Sequence, residues 1–324
     1  MRATLRATAV LAGAVGGLSV AAYGTLTRQT RNTQRVMAVP GWAPFRADGV
    51  YTPRGAGPQP PAQFATETCL QGRSIDTGTD ILTLAVIGDS TAAGLGVDGP
   101  EELPGVLLAR NLAEEAGRPV QLDTYAISGS SSRRLDEQLR AALLSPPVAA
   151  LIMVGPNDIR DRIPPATSAT LLGSAVAKLR AAGTAVVVGT CPDLGVVRPI
   201  PQPLRGFVRA WSITLARLQR DAVNQAGGHP VPLADLLAPE FLSRPEALFS
   251  TRDGLHPSAA GYEAACSVLL PALCSALGVW GGGAVPPAPT RSAVVGAGWW
   301  PRRMAASADR GLRRVTERLS GVAP

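Results

Sequence analysis

The sequence predicts an α/β fold in which a central parallel sheet of about five strands carries helices on both faces, a doubly wound three-layer sandwich. The first observation is a series of short apolar runs that each end in a turn, the pattern of strands buried on both faces. The second is that helical patterns alternate with these runs about five times over roughly 200 residues. The third is composition: 324 residues, 46% of them hydrophobic and 17% charged, can bury a large core.

The predicted strands and helices follow one another from residue 81 onward. Four strand segments are strongly apolar and the fifth is weaker; they are ILTLAVIGDS, VQLDTYAISG, VAALIMVGPND, TAVVVGTCP and HPVPLAD, beginning at residues 81, 120, 148, 184 and 229. The helical patterns lie at residues 105–116, 135–144, 166–182, 207–226 and 258–277. Because the carboxyl ends of parallel strands meet at one edge of a sheet, we expect the functional site beyond that edge.

The N-terminal residues 1–26 have the layout of a signal peptide or a weak membrane anchor. Arg2 and Arg6 precede an uncharged stretch, residues 7–26. Small residues from Ser19 to Ala21 favour cleavage, whereas the length of the stretch favours retention as an anchor. We therefore expect an exported protein, secreted or held at the extracytoplasmic face of the membrane. An Ala-rich leader with no targeting role is the alternative.

The rest of the chain divides into an arm, one large domain and a tail. Residues 27–80 are rich in Pro, Gly, Thr and Ala without a sustained period, which favours an arm or linker before a domain at 81–280. Residues 281–324 begin with the flexible stretch GGGAVPPAPT and continue as a basic amphipathic segment. Trp299 and Trp300 make this tail suitable for a membrane surface, and docking of a solvated tail on its own domain is the alternative.

The net charge of +7 does not indicate a nucleic-acid partner, because the excess lies at the two ends. Residues 1–80 carry eight arginines against four acidic residues, and residues 283–324 carry seven against two. Between them, 16 basic residues face 18 acidic ones, so the predicted domain is nearly neutral.

The cysteines leave two possibilities open. Cys69, Cys191, Cys266 and Cys274 could form two disulfides in an exported protein, and their spacing matches no zinc motif. Cys191, which directly follows a predicted buried strand, could equally be a small core residue.

Residues capable of chemistry follow the first three predicted strands. Ser90 ends the first strand segment, Gly129 ends the second, and Asn157 lies just past the apolar residues of the third, in VGPND. A serine at a strand end is accessible to substrate, a glycine lets a backbone N–H approach a ligand, and an asparagine amide can complete an oxyanion hole. Each residue alone is also compatible with an ordinary turn, and we interpret Asp158 as an Asx-turn or helix-capping residue.

His256, one of only two histidines, stands in RDGLHPSAAGY. A serine nucleophile needs a base, and histidine has a suitable pKa. Asp253, three residues earlier, can accept the imidazole N–H across the turn and fix its tautomer. Pro257 and Ser258 then begin the last helix. The other histidine, His229 in GGHPVP, is interpreted as structural.

Together these segments resemble the four sequence blocks of the SGNH (GDSL) hydrolases, in the same order and over about residues 82–277. The matching residues are Gly88-Asp89-Ser90, Gly129, Gly155-Pro156-Asn157-Asp158 and Asp253-Gly254-Leu255-His256. One departure is that Ser128-Gly129-Ser130 lacks the asparagine that some members carry shortly before the glycine. The resemblance implies the flavodoxin-like, SGNH-type form of the predicted fold.

The resemblance also implies a role for each matched residue. Ser90 corresponds to the nucleophile, His256 to the general base and then acid, and Asp253 to the residue that orients it. The N–H groups of Ser90 and Gly129 and the amide of Asn157 correspond to the oxyanion hole. The remaining matched residues would support these groups: Gly88, Asp89, Gly155 and Asp158.

The expected activity is that of a serine esterase or lipase-like hydrolase that works through an acyl-serine intermediate without a metal or cofactor. Its partners would be small-molecule, lipid or glycan esters. The alternatives are an O-acyltransferase acting on cell-envelope sugars or lipids with the same residues, and a non-catalytic envelope-binding module. The Pro-rich segment CPDLGVVRPIPQPLRGF, residues 191–207, is the predicted substrate-facing loop.

Overall fold

The computed structural model describes residues 24, 28, 29, 41–53, 55, 57–62 and 81–279. Apart from Gly24, the predicted signal peptide or anchor at 1–26 lies outside the described residues, and so does the predicted tail at 281–324. Export and membrane association therefore stay predictions.

Six strands form the central sheet. They are β1 (Gly49–Tyr51), β2 (Leu82–Gly88), β3 (Val120–Thr124), β4 (Ala149–Met153), β5 (Ala185–Gly189) and β6 (His229–Val231). Their order is β1-β3-β2-β4-β5-β6, and β2 to β6 are all parallel. The predicted five-stranded parallel sheet and the doubly wound fold class are confirmed. Strand order reverses between β2 and β4, the position at which such sheets bind their ligands.

The sixth strand, β1, corrects one prediction. It pairs antiparallel with β3 through Gly49 opposite Leu122 and Tyr51 opposite Val120. Tyr51 is fully buried and its hydroxyl donates to the carbonyl of Ala47. Residues 27–80 were predicted to be an arm or linker, and at Gly49–Tyr51 this segment instead forms an edge strand of the sheet. A three-residue strand shows no period of its own, which is why the sequence did not reveal it.

Helices cover both faces of the sheet. They are α1 (Pro104–Ala116), α2 (Leu135–Ala142), α3 (Pro156–Arg160), α4 (Pro165–Ala181), α5 (Leu204–Gln225), α6 (Leu233–Ser243), α7 (Pro245–Leu248) and α8 (Ala259–Ala276). The five predicted helices are confirmed to within a few residues. The sequence missed α6, which contains Pro239, and the two short helices α3 and α7, which both begin with proline.

The core lies on both sides of β2. Leu84 and Val86 pack with α1 and α8, whereas Ala85 and Ile87 pack with α2, α4 and the end of α5. All four side chains are at most 1% exposed. Successive side chains of a strand point to opposite faces, so this unbroken apolar run is what a strand between two helical layers requires.

Helix α8 is the one helix in the described ranges that is long and apolar enough to cross a membrane by length and composition alone, with a mean hydropathy of 1.3. It packs against the sheet and α1, and Tyr262, Leu269 and Leu273 are fully buried. Ser258 caps the helix, since its side chain accepts a hydrogen bond from the Gly261 N–H. These contacts are those of a core helix.

The cysteines within the described residues are not paired. Cys191, Cys266 and Cys274 are buried free thiols, and Cys69 lies outside the described residues. The possibility of two disulfides is therefore wrong, and Cys191 is the core residue that the alternative proposed.

Candidate active site

The candidate site lies where β2 and β4 end side by side. Gly88, the last residue of β2, is paired with Met153, the last residue of β4. Ser90 follows the first of these strands by two residues and Asn157 follows the second by four. The loop that ends at Ser258 brings His256 to the same edge, so chain segments far apart in sequence meet at the point where strand order reverses.

The turn that carries Ser90 requires a glycine before it. A Cβ on Gly88, whose φ is 141°, would lie 1.9 Å from the carbonyl oxygen of Met153. Without that atom the chain can turn, and the Asp89 N–H donates to the same oxygen at 3.1 Å. The Leu95 N–H donates to the Ser90 carbonyl at 2.9 Å and closes the turn. The Ser90 side chain is thereby held at the strand end.

Ser90, His256 and Asp253 form a hydrogen-bonded chain. The Nε2 atom of His256 lies 2.8 Å from Ser90 Oγ, and its Nδ1 atom lies 2.6 Å from Asp253 Oδ2. Ser90 and His256 are only 8% and 6% exposed. When Nδ1–H donates to the carboxylate, Nε2 has a free lone pair that can accept the Ser90 hydroxyl proton.

The charge on Asp253 is stabilised by its hydrogen bonds. Its Oδ1 accepts the backbone N–H groups of Leu255 at 2.9 Å and His256 at 3.0 Å. Burial alone raises the pKa of this carboxyl group, but the hydrogen bonds from the His256 ring and from the two backbone N–H groups outweigh burial and lower the pKa below its usual value. Asp253 therefore stays ionised beside the imidazole at neutral pH.

Three hydrogen-bond donors belong to residues that line the same cavity as Ser90. Gly129 has a left-handed backbone with φ at 77°. Among the described residues, neither its N–H nor that of Ser90 has an acceptor. Asn157 is 7% exposed, and one of its two amide hydrogens is donated to the Ser130 carbonyl at 3.0 Å. The side chain is thus fixed while its second amide hydrogen stays available. All three residues line one cavity with His256.

Two polar side chains that were not predicted from the sequence hold this edge together. Gln138 in α2 bonds to Gly88 and donates to Ser130 Oγ at 3.0 Å. Arg160, at the end of α3, donates to the Gly129 carbonyl at 3.0 Å and pairs with Asp161. Gln138 had a detectable signature, because it lies within the apolar stripe formed by Leu135, Leu139 and Ala142.

Asp158 is not the Asx-turn or helix-capping residue that the sequence suggested. Gly155 precedes α3 at the cap position, and no side chain caps that helix. Asp158 instead accepts hydrogen bonds from the N–H and the hydroxyl of Ser132, at 2.9 and 2.8 Å. Burial raises its pKa, although the bonds from Ser132 oppose that rise. Asp158 directly follows Asn157, and Ser132 lies three residues after Gly129. These hydrogen bonds therefore connect the two chain segments that carry Asn157 and Gly129.

Asp89 and His229, which were also considered from the sequence, occupy different environments in the structure. Asp89 is buried beneath the turn, where burial raises its pKa to about 6 although the Thr91 N–H bonds to it. His229 is exposed and is the first residue of β6, so it does not lie at the carboxyl ends of the strands, where the candidate site is. Within the described ranges, no group of three or more His, Cys, Asp or Glu residues is arranged to hold a metal ion.

A cavity of about 110 Å³ opens beside Ser90. Part of the predicted substrate-facing loop lines it, whereas the residues of that loop from 198 to 207 do not. The lining residues of the loop are Pro192, Asp193, Leu194, Val196 and Val197. Helices α6 and α8 supply much of the remaining wall. The largest missed contribution to the site is thus α6, the helix that the sequence did not predict.

Residues 86–264 match the model of the GDSL-like lipase/acylhydrolase family. The chain belongs to this family. The match covers more than half of the protein and contains Ser90, Gly129, Asn157, Asp253 and His256, so the protein is by family a carboxylic ester hydrolase.

Individual relatives are similar over most of the chain. The GDSL-like esterase Rv1075c of Mycobacterium tuberculosis is 44% identical over 273 residues, which are 84% of this chain and 82% of that protein. The lipase/acylhydrolase from Enterococcus faecalis is 19% identical, with a TM-score of 0.48 over 58% of this chain and 93% of that chain. TesA is 26% identical, with a TM-score of 0.47 over 61% and 99% of the respective chains.

Proposed function

We propose that this family member hydrolyses carboxylic esters through an acyl-serine intermediate on Ser90. The observation that carries the proposal is the hydrogen-bonded chain from Ser90 Oγ to His256 Nε2 and from His256 Nδ1 to Asp253, beside an apolar cavity. The three side chains have the mutual distances that activation of a serine requires.

In the acylation step, Ser90 Oγ attacks the ester carbonyl carbon as its proton passes to His256 Nε2. The tetrahedral intermediate collapses when the bond from carbon to the alcohol oxygen breaks, and His256 gives its proton to the departing alkoxide. Water then attacks the acyl-serine, again losing a proton to His256, and the carboxylic acid leaves as Ser90 regains its proton. Asp253 stabilises the imidazolium that forms in each half-reaction.

The negative charge that develops on the carbonyl oxygen needs donors that are already in place. The N–H groups of Ser90 and Gly129 and the second amide hydrogen of Asn157 fit this role. The hydrogen bond that Asn157 donates to the Ser130 carbonyl and the one that Arg160 donates to the Gly129 carbonyl hold two of these donors in position. Little reorganisation is then needed when the charge appears.

Labelling with a fluorophosphonate probe tests the nucleophile. The wild-type protein should become labelled at Ser90, and Ser90→Ala should be neither labelled nor active on an activated ester. Ser128→Ala is the matched control, because Ser128 lines the same cavity but its hydroxyl makes no hydrogen bond within the described part of the chain. Wild-type protein that is folded but unlabelled, or a Ser90→Ala variant that still turns over, would contradict the proposal.

Turnover of the activated ester also separates hydrolysis from acyl transfer. The two reactions would use the same residues, but water accepts the acyl group in hydrolysis and a sugar hydroxyl accepts it in transfer. Sugar alcohols at low millimolar concentration are added during turnover of the activated ester. We expect the free carboxylic acid as the main product at every acceptor concentration. Partitioning of the acyl group to the sugar would make transfer the better description of the activity.

A further inference from the structure

The cavity beside Ser90 divides into two parts by chemistry. The strand-end turns contribute the polar part, which contains the proposed catalytic groups. The second part runs past Gly189 at the end of β5, and α6 and α8 wall it with aliphatic and aromatic side chains, namely Leu233, Leu237, Ala238, Phe241, Ala265 and Leu269. These six side chains are between 0% and 8% exposed, so this second part is shielded from solvent.

Two charged residues of the lining, Asp193 and Arg160, are engaged with protein partners. Asp193 accepts hydrogen bonds from Arg209 at 3.0 Å and from the Gly195 N–H at 2.8 Å. Arg160 bonds to Asp161 and to the Gly129 carbonyl. The part walled by α6 and α8 therefore suits an apolar group, because a polar group buried there would lose its bonds to water without replacement.

We propose that this part of the cavity binds the acyl chain of the substrate, and that the preferred acyl group is an unbranched aliphatic chain of medium length. A water-sized group needs about 10–15 Å³ of such a volume, so the whole cavity of about 110 Å³ has room for roughly eight groups. Because the carbonyl end of the acyl group lies in the polar part of the same cavity, this space corresponds to an acyl group of about six to eight carbons, the carbonyl carbon included. The proposal rests on the proposed function, since Ser90 defines where the carbonyl carbon lies.

The order of bond changes assigns this space to the acyl group instead of the alcohol. The alcohol leaves first, when the bond between the carbonyl carbon and its oxygen breaks, and water must then reach the same carbon. An alcohol bound in the shielded part would have to escape past the acyl-serine, and water would have to enter behind it. The acyl chain stays bonded to Ser90 Oγ through both steps and can occupy a pocket without a second exit.

Two ester series test this assignment. In the first, the alcohol is constant and the acyl chain runs from acetyl to dodecanoyl; in the second, the acyl group is acetyl and the alcohol is lengthened. In the first series, kcat/KM should rise up to about fourfold per added methylene, to a maximum near six to eight carbons, and then fall. In the second series it should change little.

Two substitutions in α6 should move the maximum in opposite directions. Leu237→Ala lengthens the pocket and should shift the preferred acyl chain by about two carbons toward longer esters. Ala238→Leu fills it and should lower kcat/KM for octanoyl esters about tenfold or more relative to acetyl esters. Leu236→Ala is the matched control, because Leu236 is 37% exposed on the same helix and does not line the cavity. Thermal unfolding verifies that each variant is folded.

The outcomes separate this inference from the proposed function. If acetyl esters are hydrolysed and Ser90 is labelled, but the acyl profile is flat or unmoved by both α6 variants, the acyl pocket is wrong and the catalytic assignment stands. A length dependence in the alcohol series alone would place the alcohol in the pocket and overturn the inference. If no ester is hydrolysed and Ser90 is not labelled, the proposed function fails and the acyl pocket fails with it.

Discussion

The side chain of Gln138 is hydrogen-bonded to both the N–H and the carbonyl of Gly88. The side-chain oxygen accepts the Gly88 N–H at 2.7 Å, and the side-chain amide donates to the Gly88 carbonyl at 2.9 Å, across 50 positions of sequence. The same amide reaches Ser130 Oγ. One buried side chain of α2 thus connects the strand end before the proposed nucleophile with the segment that provides the Gly129 N–H.

Replacing this side chain should weaken both the fold and the site. Gln138→Leu leaves the buried Gly88 N–H and carbonyl without side-chain partners, and we expect the free energy of unfolding to fall by about 2–4 kcal/mol. Since Ser90 lies two residues further on, kcat should fall about tenfold while KM changes little. Chemical denaturation and steady-state kinetics measure the two effects.

An exposed glutamine at the end of α5 provides the control for Gln138. Gln225→Leu makes the same chemical change on the surface and should alter the free energy of unfolding by no more than about 0.5 kcal/mol. Equal effects of the two substitutions on stability and kcat would refute the connection that we assign to Gln138.

Replacing the carboxylate behind His256 should remove most of the activity without unfolding the protein. In Asp253→Asn the imidazole is no longer held with its proton on Nδ1, so Nε2 cannot readily accept the Ser90 proton, and kcat should fall about 10³- to 10⁴-fold. KM should change little. Asp98→Asn, at an acidic residue that is 81% exposed and pairs with Arg252 on the surface, is the control. A kcat within tenfold of wild type would contradict the role of Asp253.

Removing the Asn157 amide should slow the reaction about 10²- to 10³-fold, because one donor to the developing oxyanion is lost. The loss should appear in kcat and not in KM, since the ground-state carbonyl needs the donor less than the transition state does. The measurement compares Asn157→Ala with Asn224→Ala, which truncates an exposed asparagine of α5. Unchanged turnover in Asn157→Ala would remove Asn157 from the proposed oxyanion hole.

The sequence predicted those parts of the fold that have a visible period. From Leu84 to Ile87 the run that forms β2 is apolar without interruption because both of its faces are buried, and the longer helices show an apolar stripe. Helix α6 escaped detection because Pro239 divides its 11 residues into two stretches that are each too short to show a helical period. Elements are predictable from the chain when they repeat their period several times without interruption.

The candidate site was predictable to the extent that it depends on strand ends. Ser90 and Asn157 follow neighbouring parallel strands, so their proximity is a consequence of the fold class. The bond from Arg160 to the Gly129 carbonyl depends on the conformations of two separate loops, and no spacing in the sequence indicates it. The same holds for the shape of the cavity, since its wall includes a helix that the sequence did not predict.

Asp89 should make the protein less stable as pH rises through the acidic range. Its carboxyl group is 1% exposed; Oδ1 accepts the Thr91 N–H at 2.9 Å, and Oδ2 has no partner within the described part of the chain. Burial raises its pKa from 3.8 to about 6, although the Thr91 N–H opposes the rise. Between these values the folded state keeps a proton that the unfolded state has lost.

The sign of the effect follows from that difference in bound protons. The free energy of unfolding falls as pH rises from about 4 to 6, by up to about 3 kcal/mol from this group, and the penalty is complete above that range. Asp89→Asn keeps an acceptor for Thr91 but does not titrate, so its stability relative to wild type should increase from pH 4 to pH 7. Denaturation at several pH values measures this difference, with Asp136→Asn, a surface residue that is 60% exposed, as the control. A difference between Asp89→Asn and wild type that stays constant over this range would show that Asp89 is ionised in the folded protein throughout.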